Sequence, residues 1–164
     1  MTSTFVHLHL HTEYSLVDST IRIDRLVNAC IAAGMPAVAI TDDSNLFALV
    51  KFYGAAEKAG LKPIIGCDLW VGETGNDLSR ATVLCQNHDG YLRLSRLLSA
   101  AYRERGKSER VFVPRSRLMA DNAGLVALLG RPSELIAAAD IDSADRLLED
   151  WRRGFDDRVY LELT

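Results

Sequence analysis

The chain has 164 residues, 48% of them hydrophobic and 25% charged, with a formal net charge of −3. That is enough chain to bury a sizeable core as one soluble domain, and the charge gives no overall pull toward nucleic acid or membrane. Cys30, Cys67 and Cys85 are odd in number and widely spaced, matching neither a disulfide framework nor a Cys-x-x-Cys zinc knuckle, so a reducing cytoplasm fits best.

The sequence carries no pattern of a signal peptide, no apolar run of membrane length, no low-complexity tract and no internal repeat. The first predicted element is Phe5-Val6-His7-Leu8-His9-Leu10-His11-Thr12-Glu13-Tyr14-Ser15, which holds three of the chain's four histidines. Side chains alternate across a strand, so His7, His9 and His11 share one face while Val6, Leu8 and Leu10 share the other. Burial of both faces suits a parallel strand with helices outside. A His-x-His pair on a strand is a plausible first half of a metal site, because both rings can converge on one ion. The alternative is a strand whose histidines are hydrogen-bonded in the core or point to water.

Beyond it the chain alternates strand and helix. Ile23, Leu26, Val27, Cys30 and Ile31 follow helical spacing, with Gly34 as the stop. Residues 37–41 read as a buried strand, followed by a polar turn of Asp42, Asp43, Ser44 and Asn45, with Asn45 a good helix N-cap. Leu46, Leu49, Val50, Tyr53 and Ala56 give the inner face of a second helix, stopped at Gly60. A strand over 62–71 carries Asp68 near its end, and a turn over 73–77 leads to a strand over 81–85. A helix over 88–103 has Tyr91, Leu94, Leu98, Ala101 and Tyr102 inward. Then come a polar loop, the short segment 111–113, a helical turn begun by Pro114 and a strand over 124–129. Helices over 133–139 and 143–152 precede a last strand over 159–163.

Repeated strand–helix units with apolar strands predict a parallel α/β architecture, either barrel or open sheet. The possible ligands His9, His11, Asp42, Asp43 and Asp68 cluster at the C-terminal ends of strands, where barrels carry their sites. No linker composition divides the chain, so one domain is expected over 1–164. Its end inside a strand, at Leu161-Glu162-Leu163-Thr164, points to a fragment of something longer.

Several of these stretches together resemble a known family. His9-Leu10-His11-Thr12-Glu13-Tyr14-Ser15-Leu16-Val17-Asp18 looks like the opening of the polymerase-and-histidinol-phosphatase (PHP) domain of bacterial replicative DNA polymerase III alpha subunits. So do Ala39-Ile40-Thr41-Asp42, Asn45-Leu46-Phe47 and Val50-Lys51-Phe52-Tyr53. Gly60-Leu61-Lys62-Pro63-Ile64-Ile65-Gly66-Cys67-Asp68 is the most specific piece. Asn87, Gly90-Tyr91, Pro114-Arg115 and 124–130 extend the match to nearly the whole chain. The resemblance implies a distorted (β/α)7, TIM-like barrel of which this chain is the N-terminal part, with the polymerase core beyond residue 164.

The family's complete site uses His, Asp, Glu and Cys ligands to hold two or three metal ions for phosphoester hydrolysis. Carried over residue by residue, His9, His11 and Asp18 match. Asp43 stands where the family has His, and Asp68 where it usually has Glu. Arg80 falls at an expected histidine, and Arg131 at an expected cysteine. Arginine stays protonated and offers only donors, so it cannot ligate a cation. The expectation is a vestigial site in which guanidinium groups balance Asp18, Asp43 and Asp68, with no catalytic residue in this segment. The alternative for Arg80 and Arg131 is that they reach solvent.

Residual Zn2+ or Mn2+ on His9, His11 and Asp18, weak or lost, remains open. No tightly bound cofactor is expected here, and Mg2+ belongs to the full-length polymerase. Two functions follow from the resemblance. One is a non-catalytic scaffold that joins the rest of the alpha subunit and docks a proofreading exonuclease subunit, meeting DNA only through the whole protein. The other is an active metal-dependent phosphoesterase or 3′–5′ exonuclease, and the two arginines favour the scaffold.

Three further stretches have plainer readings. The basic run Arg103, Arg105, Lys107, Arg110, Arg115 and Arg117, diluted by Glu104 and Glu109, reads as a solvated loop, with nucleic-acid contact in an assembled polymerase as the alternative. Trp70 and Trp151 read as packing anchors, and the acidic stretch 140–157, with Leu147, Leu148 and Trp151, as a surface helix. Cys67 and Cys85, on expected strands, read as buried and inert.

Overall fold

The computed structural model describes residues 5–16, 18–106 and 110–163. Val17, Lys107, Glu109 and Thr164, named above, lie outside the described residues, as does the side chain of Arg131. The chain divides into two compact units, Met1–Asp68 and Leu69–Thr164.

The first unit contains α1 (Ile23–Ala32), β1 (Ala37–Ile40), α2 (Leu49–Lys58) and the start of β2 (Lys62–Gly72). Helix α1 buries Ile23, Leu26, Val27 and Cys30, the predicted stripe, although Ile31 stays 45% exposed. The helix stops because Gly34 takes φ +68°, which lets Gly34 N bond Ile31 O and Met35 N bond Cys30 O, both at 2.9 Å. That pair of bonds satisfies carbonyls a helix end otherwise leaves open. Strand β1 is buried throughout and pairs in parallel with β2, from Ala37↔Lys62 to Ile40↔Ile65. Ile23, Leu26, Val38, Ile40, Phe52 and Leu61 form the core of this unit, with Leu10, Tyr14, Met35 and Ile65 packed against it.

Two expectations change here. Helix α2 begins at Leu49 rather than after Asn45, whose Oδ1 instead accepts from Phe47 N at 3.0 Å in a separate turn. The face that packs is centred on Phe52 rather than on Tyr53, so Ala48, Phe52 and Ala56 are buried, while Val50 is 81% and Tyr53 47% exposed. The histidine stretch bonds to β1 but forms no regular strand. Ala39 N bonds His7 O and Thr41 N bonds Leu10 O, both at 2.8 Å, so three steps on one segment oppose two on the other. The extra residue acts as a bulge and breaks the side-chain alternation. Leu8 is therefore 41% exposed, and exposed His7 packs edge-on against Phe5 rather than joining His9 and His11.

The second unit contains the end of β2, then β3 (Ser79–Cys85), α3 (His88–Glu104), β4 (Val113–Pro114) and α4 (Arg115–Ala120). It continues with β5 (Leu125–Leu129), α5 (Arg131–Ala137), α6 (Ile141–Phe155) and β6 (Val159–Leu161). Strand β4 runs parallel to β2, and β6 parallel to β5. The parallel expectation fails at one strand: β3 is antiparallel to β5, from Thr82↔Leu128 to Cys85↔Leu125. Only residues 73–78 join β2 to β3, short of the dozen or so that a parallel crossover needs, so the chain turns back. Asp77 makes that turn by accepting from Glu73 N at 3.0 Å, Thr74 N at 2.7 Å and Thr74 Oγ1 at 2.8 Å. These bonds hold its carboxyl down to about 2.

Asn87 caps α3, its Oδ1 accepting from Gly90 N at 2.9 Å, and Leu94, Leu97, Leu98 and Ala101 are buried beneath the helix. Tyr102, expected inward, is 44% exposed. Trp151 is buried and packs against Phe155, with ring centroids 5.5 Å apart, as befits an anchor. Among the described residues, no helix is long and apolar enough to cross a membrane. The architecture is α/β with repeated strand–helix units, as the sequence predicts, with its strands mixed rather than all parallel.

Candidate metal centre

His9, His11 and Asp68 converge, each offering one ligand atom, with all three atoms within 4.8 Å of one another. Asp68 Oδ2 lies 3.5 Å from His9 Nε2 and 3.4 Å from His11 Nε2. The two rings are edge to face, with centroids 5.3 Å apart. Asp68 is 3% exposed. Asp18 does not join this trio but hydrogen-bonds the opposite nitrogen of His11, Nδ1. A carboxylate on the far nitrogen fixes the ring and leaves Nε2 to face an ion, as in many metal-bound histidines.

Nε2 of His11 is buried and has no hydrogen-bond partner among the described residues. The Asp68 carboxylate is outside hydrogen-bond geometry to it but near enough for strong ionic attraction. Asp68 first, then Asp18, outweigh burial and raise His11 from 6.5 to about 9, so its imidazole is protonated at neutral pH. A buried nitrogen without a bond, beside another imidazole and a carboxylate, suits a divalent ion that displaces this proton. Zn2+ or Mn2+ would be held by His9, His11 and Asp68, and it would supply Lewis-acid chemistry toward water or a phosphoryl oxygen.

The site rests where the parallel pairing of β1 with β2 continues beyond its regular part. Past Ile40, the chain keeps bonding to β2: Asp68 N donates to Asp42 O at 3.2 Å, and Ser44 N donates to Asp68 O at 2.9 Å. Ser44 reaches this position with φ 54°, a left-handed conformation uncommon outside glycine and asparagine. Thr41 fastens the histidine segment, its Oγ1 accepting from Leu10 N at 2.9 Å. Asp42, counted with the possible ligands in the sequence, is 2% exposed and faces other groups. Its Oδ1 accepts from Thr12 N at 2.6 Å and Ser15 Oγ at 2.8 Å, and its Oδ2 from Thr12 Oγ1 at 2.7 Å. Thr12 and Ser15 were not singled out from the sequence. The signal was a buried-strand aspartate with two hydroxyl residues just after the histidines.

Asp43 is half-buried and forms a bridge with Asp68; its N donates to Ser15 Oγ at 3.0 Å and its Oδ1 accepts from Ser44 Oγ at 2.8 Å. Arg80 belongs to the second unit, where its guanidinium carbon sits 4.2 Å from the Trp70 ring centroid. Arg110 is also 4.2 Å from that centroid, so Trp70 packs against cations. Arg131 opens α5. Elsewhere in the basic run, Arg117 pairs with Glu104 and Arg115 with Asp150, each at 3.0 Å. Burial pushes the Cys67 thiol well up and the Cys85 thiol up to about 12, leaving both protonated and unreactive, although Cys85 is only half-buried.

A family model described as the PHP domain matches residues 7–164. The chain belongs to the PHP domain family. This PHP domain is 42% identical over 181 residues to DNA polymerase III subunit alpha of Xylella fastidiosa (strain Temecula1), covering 99% of this chain and 15% of that protein. It is 41% identical over 169 residues to the Pseudomonas aeruginosa subunit (99% and 14%) and 38% over 165 residues to that of Escherichia coli K12 (97% and 14%). The chain therefore spans about 15% of the length of the curated relatives it matches. Among solved structures, an amidohydrolase from Chromobacterium violaceum shares the fold at TM-score 0.50 and 13% identity, covering 85% of this chain and 74% of that one.

Proposed function

We propose that residues 1–164 form the PHP domain of a bacterial DNA polymerase III alpha subunit, serving DNA replication as a scaffold. The observation that carries this reading is 41–42% identity to alpha subunits across 99% of the chain. The relatives' remaining length would supply the polymerase core, using Mg2+, and would make the contacts with DNA. The domain itself would support that core and dock a proofreading exonuclease subunit, in the cytoplasm.

In this reading the site no longer runs multi-ion hydrolysis. Arg80 and Arg131 stand where the family has a histidine and a cysteine, and two-metal chemistry needs ligands at both. Guanidinium charge would take the place of metal charge beside Asp18, Asp43 and Asp68, holding the fold's shape. The deciding experiment measures metal content after chelation and after incubation with Zn2+ or Mn2+, together with hydrolysis of a phosphodiester and of a 3′ DNA end. Absence of turnover with fewer than two ions retained supports the scaffold. Two or more ions with turnover would restore an active phosphoesterase or exonuclease.

A second reading concerns the same pocket of residues: one ion on His9, His11 and Asp68. The convergence of the three ligand atoms and the bare Nε2 of His11 favour it. Three protein ligands and an open position suffice for one Zn2+. Calorimetric titration of the wild type with Zn2+ should give one site per chain, abolished in Asp68→Asn; uptake unaffected by that change would remove this reading.

A further inference from the structure

We infer that Asp42 is the positioning residue of the metal centre, the group that keeps His11 and Asp68 aimed at the same point; this rests on the one-ion reading above. Asp42 reaches both sides of the site by different atoms. Its carboxylate accepts three hydrogen bonds from the segment that follows His11: Thr12 N at 2.6 Å, Thr12 Oγ1 at 2.7 Å and Ser15 Oγ at 2.8 Å. Holding Thr12 N fixes the peptide plane next to His11, and with it the direction of that ring. Ser15 N also donates to Thr12 O at 2.9 Å, so the grip closes a compact turn. Ser19 Oγ donates to His11 O at 2.8 Å and ties the turn's far end back to the ligand.

The backbone of Asp42 serves the other side. Its carbonyl accepts from Asp68 N at 3.2 Å and from the Cys67 thiol at 3.2 Å. One residue therefore grips a histidine ligand through its side chain and the carboxylate ligand through its main chain. Buried to 2% exposure, with its carboxylate bonded to neutral donors among the described residues, it is rigidly held and does not itself turn toward the ion. Partners behind a ligand typically change metal affinity about 10–100-fold when removed. Asp42 acts one step further back, on the backbone that carries the ligand.

The test uses the 164-residue chain as wild type, Asp42→Asn and Thr12→Val. Calorimetric titration with Zn2+ gives affinity, and the visible absorption of added Co2+ reports ligand geometry. Circular dichroism and thermal midpoint without metal report the fold. Asp42→Asn should weaken Zn2+ binding roughly 10–100-fold and alter the Co2+ bands, with Thr12→Val shifting both in the same direction by less. A merely structural role would lower the metal-free midpoint and leave the Co2+ spectrum alone. A folded Asp42→Asn with wild-type affinity and spectrum overturns the inference. Should Asp42→Asn not fold, Thr12→Val and Ser15→Ala carry the test, and wild-type binding in both overturns it. If the wild type itself takes up neither ion, the one-ion reading fails first and this inference with it, an outcome seen before any variant is compared.

Discussion

Replacing Arg80 by methionine separates a surface stack from a charge that substitutes for metal. Methionine keeps the unbranched apolar stem and removes the guanidinium. The ring contact alone sets a floor. Arg80 and Trp70 are both half-buried, with the guanidinium carbon 4.2 Å from the ring centroid. Such a contact is worth about 1 kcal/mol, between the exposed and the desolvated cases. If the same cation also balances the carboxylates, its loss leaves Asp68, 3% exposed, with protonated His11 as its remaining positive neighbour, so the full cost of an uncompensated charge is an upper limit. Breaking a buried pair from one side costs about 3–5 kcal/mol. For a chain of this length each kcal/mol shifts the thermal midpoint by roughly 2–4 °C, so the two cases differ as about 2–4 °C against about 6–20 °C. Arg110→Met is the control, because Arg110, though exposed where Arg80 is half-buried, lies the same 4.2 Å from the same ring and has no ligand position in the proposed reading. Differential scanning calorimetry without metal should show Arg80→Met falling by the larger amount and Arg110→Met by the smaller. Equal falls in the two variants would refute the charge-balance reading of Arg80.

Other perturbations probe the frame around the site. Phe52 is fully buried in the first unit, and Phe52→Ala should cost about 3–5 kcal/mol in urea unfolding; a loss under about 1 kcal/mol would mean that it is not the anchor of α2. Gly90→Ala would place a methyl group inside the van der Waals shell of the Gly124 carbonyl, so a loss of about 1–3 kcal/mol is expected, and an unchanged midpoint would contradict the close approach. For Asp77 the sign is fixed by its lowered carboxyl: from 3.8 down to about 2, it stabilises the turn above pH 4 or so and loses that effect as pH falls through about 2. Asp77→Asn should therefore flatten the acid dependence of that turn between these values. NMR titration of the wild-type carboxyl checks it, and a midpoint near the ordinary aspartate value would count against the turn geometry.

Much of the fold was legible because it is written locally. The stripe from Ile23 to Cys30 and the stop at Gly34 are read within one helix, and the apolar run from Ala37 to Ile40 within one strand. What escaped depends on counting across elements. The β3 reversal follows from the length of the 73–78 connection, a fact available in the sequence but outweighed there by the strand–helix rhythm. The bulge in the histidine stretch is invisible until His7 and Leu10 are set against Ala39 and Thr41. It explains why His9 and His11 form the site while His7 turns to Phe5.

The same distinction runs through the candidate site. Residue type and spacing offered His9, His11, Asp42, Asp43 and Asp68 as possible ligands, because donor chemistry belongs to single side chains, while the resemblance put Asp18 with the two histidines, where the fold brings Asp68. Which carboxylate joins the two histidines and which stands behind one of them depends on separation in space: Asp18 is near His11 in sequence yet takes its far nitrogen, while Asp68 arrives on β2. Asp42 shows the limit most clearly. From the sequence it is one more aspartate after a strand, equal to Asp43 beside it. Folded, the alternation of side chains at the end of β1 separates the two, turning Asp42 inward onto Thr12 and Ser15 and leaving Asp43 half-buried beside Asp68. One carboxylate becomes part of the frame and its neighbour remains at the site's rim, a division of labour set by the register of the chain and not by the residue.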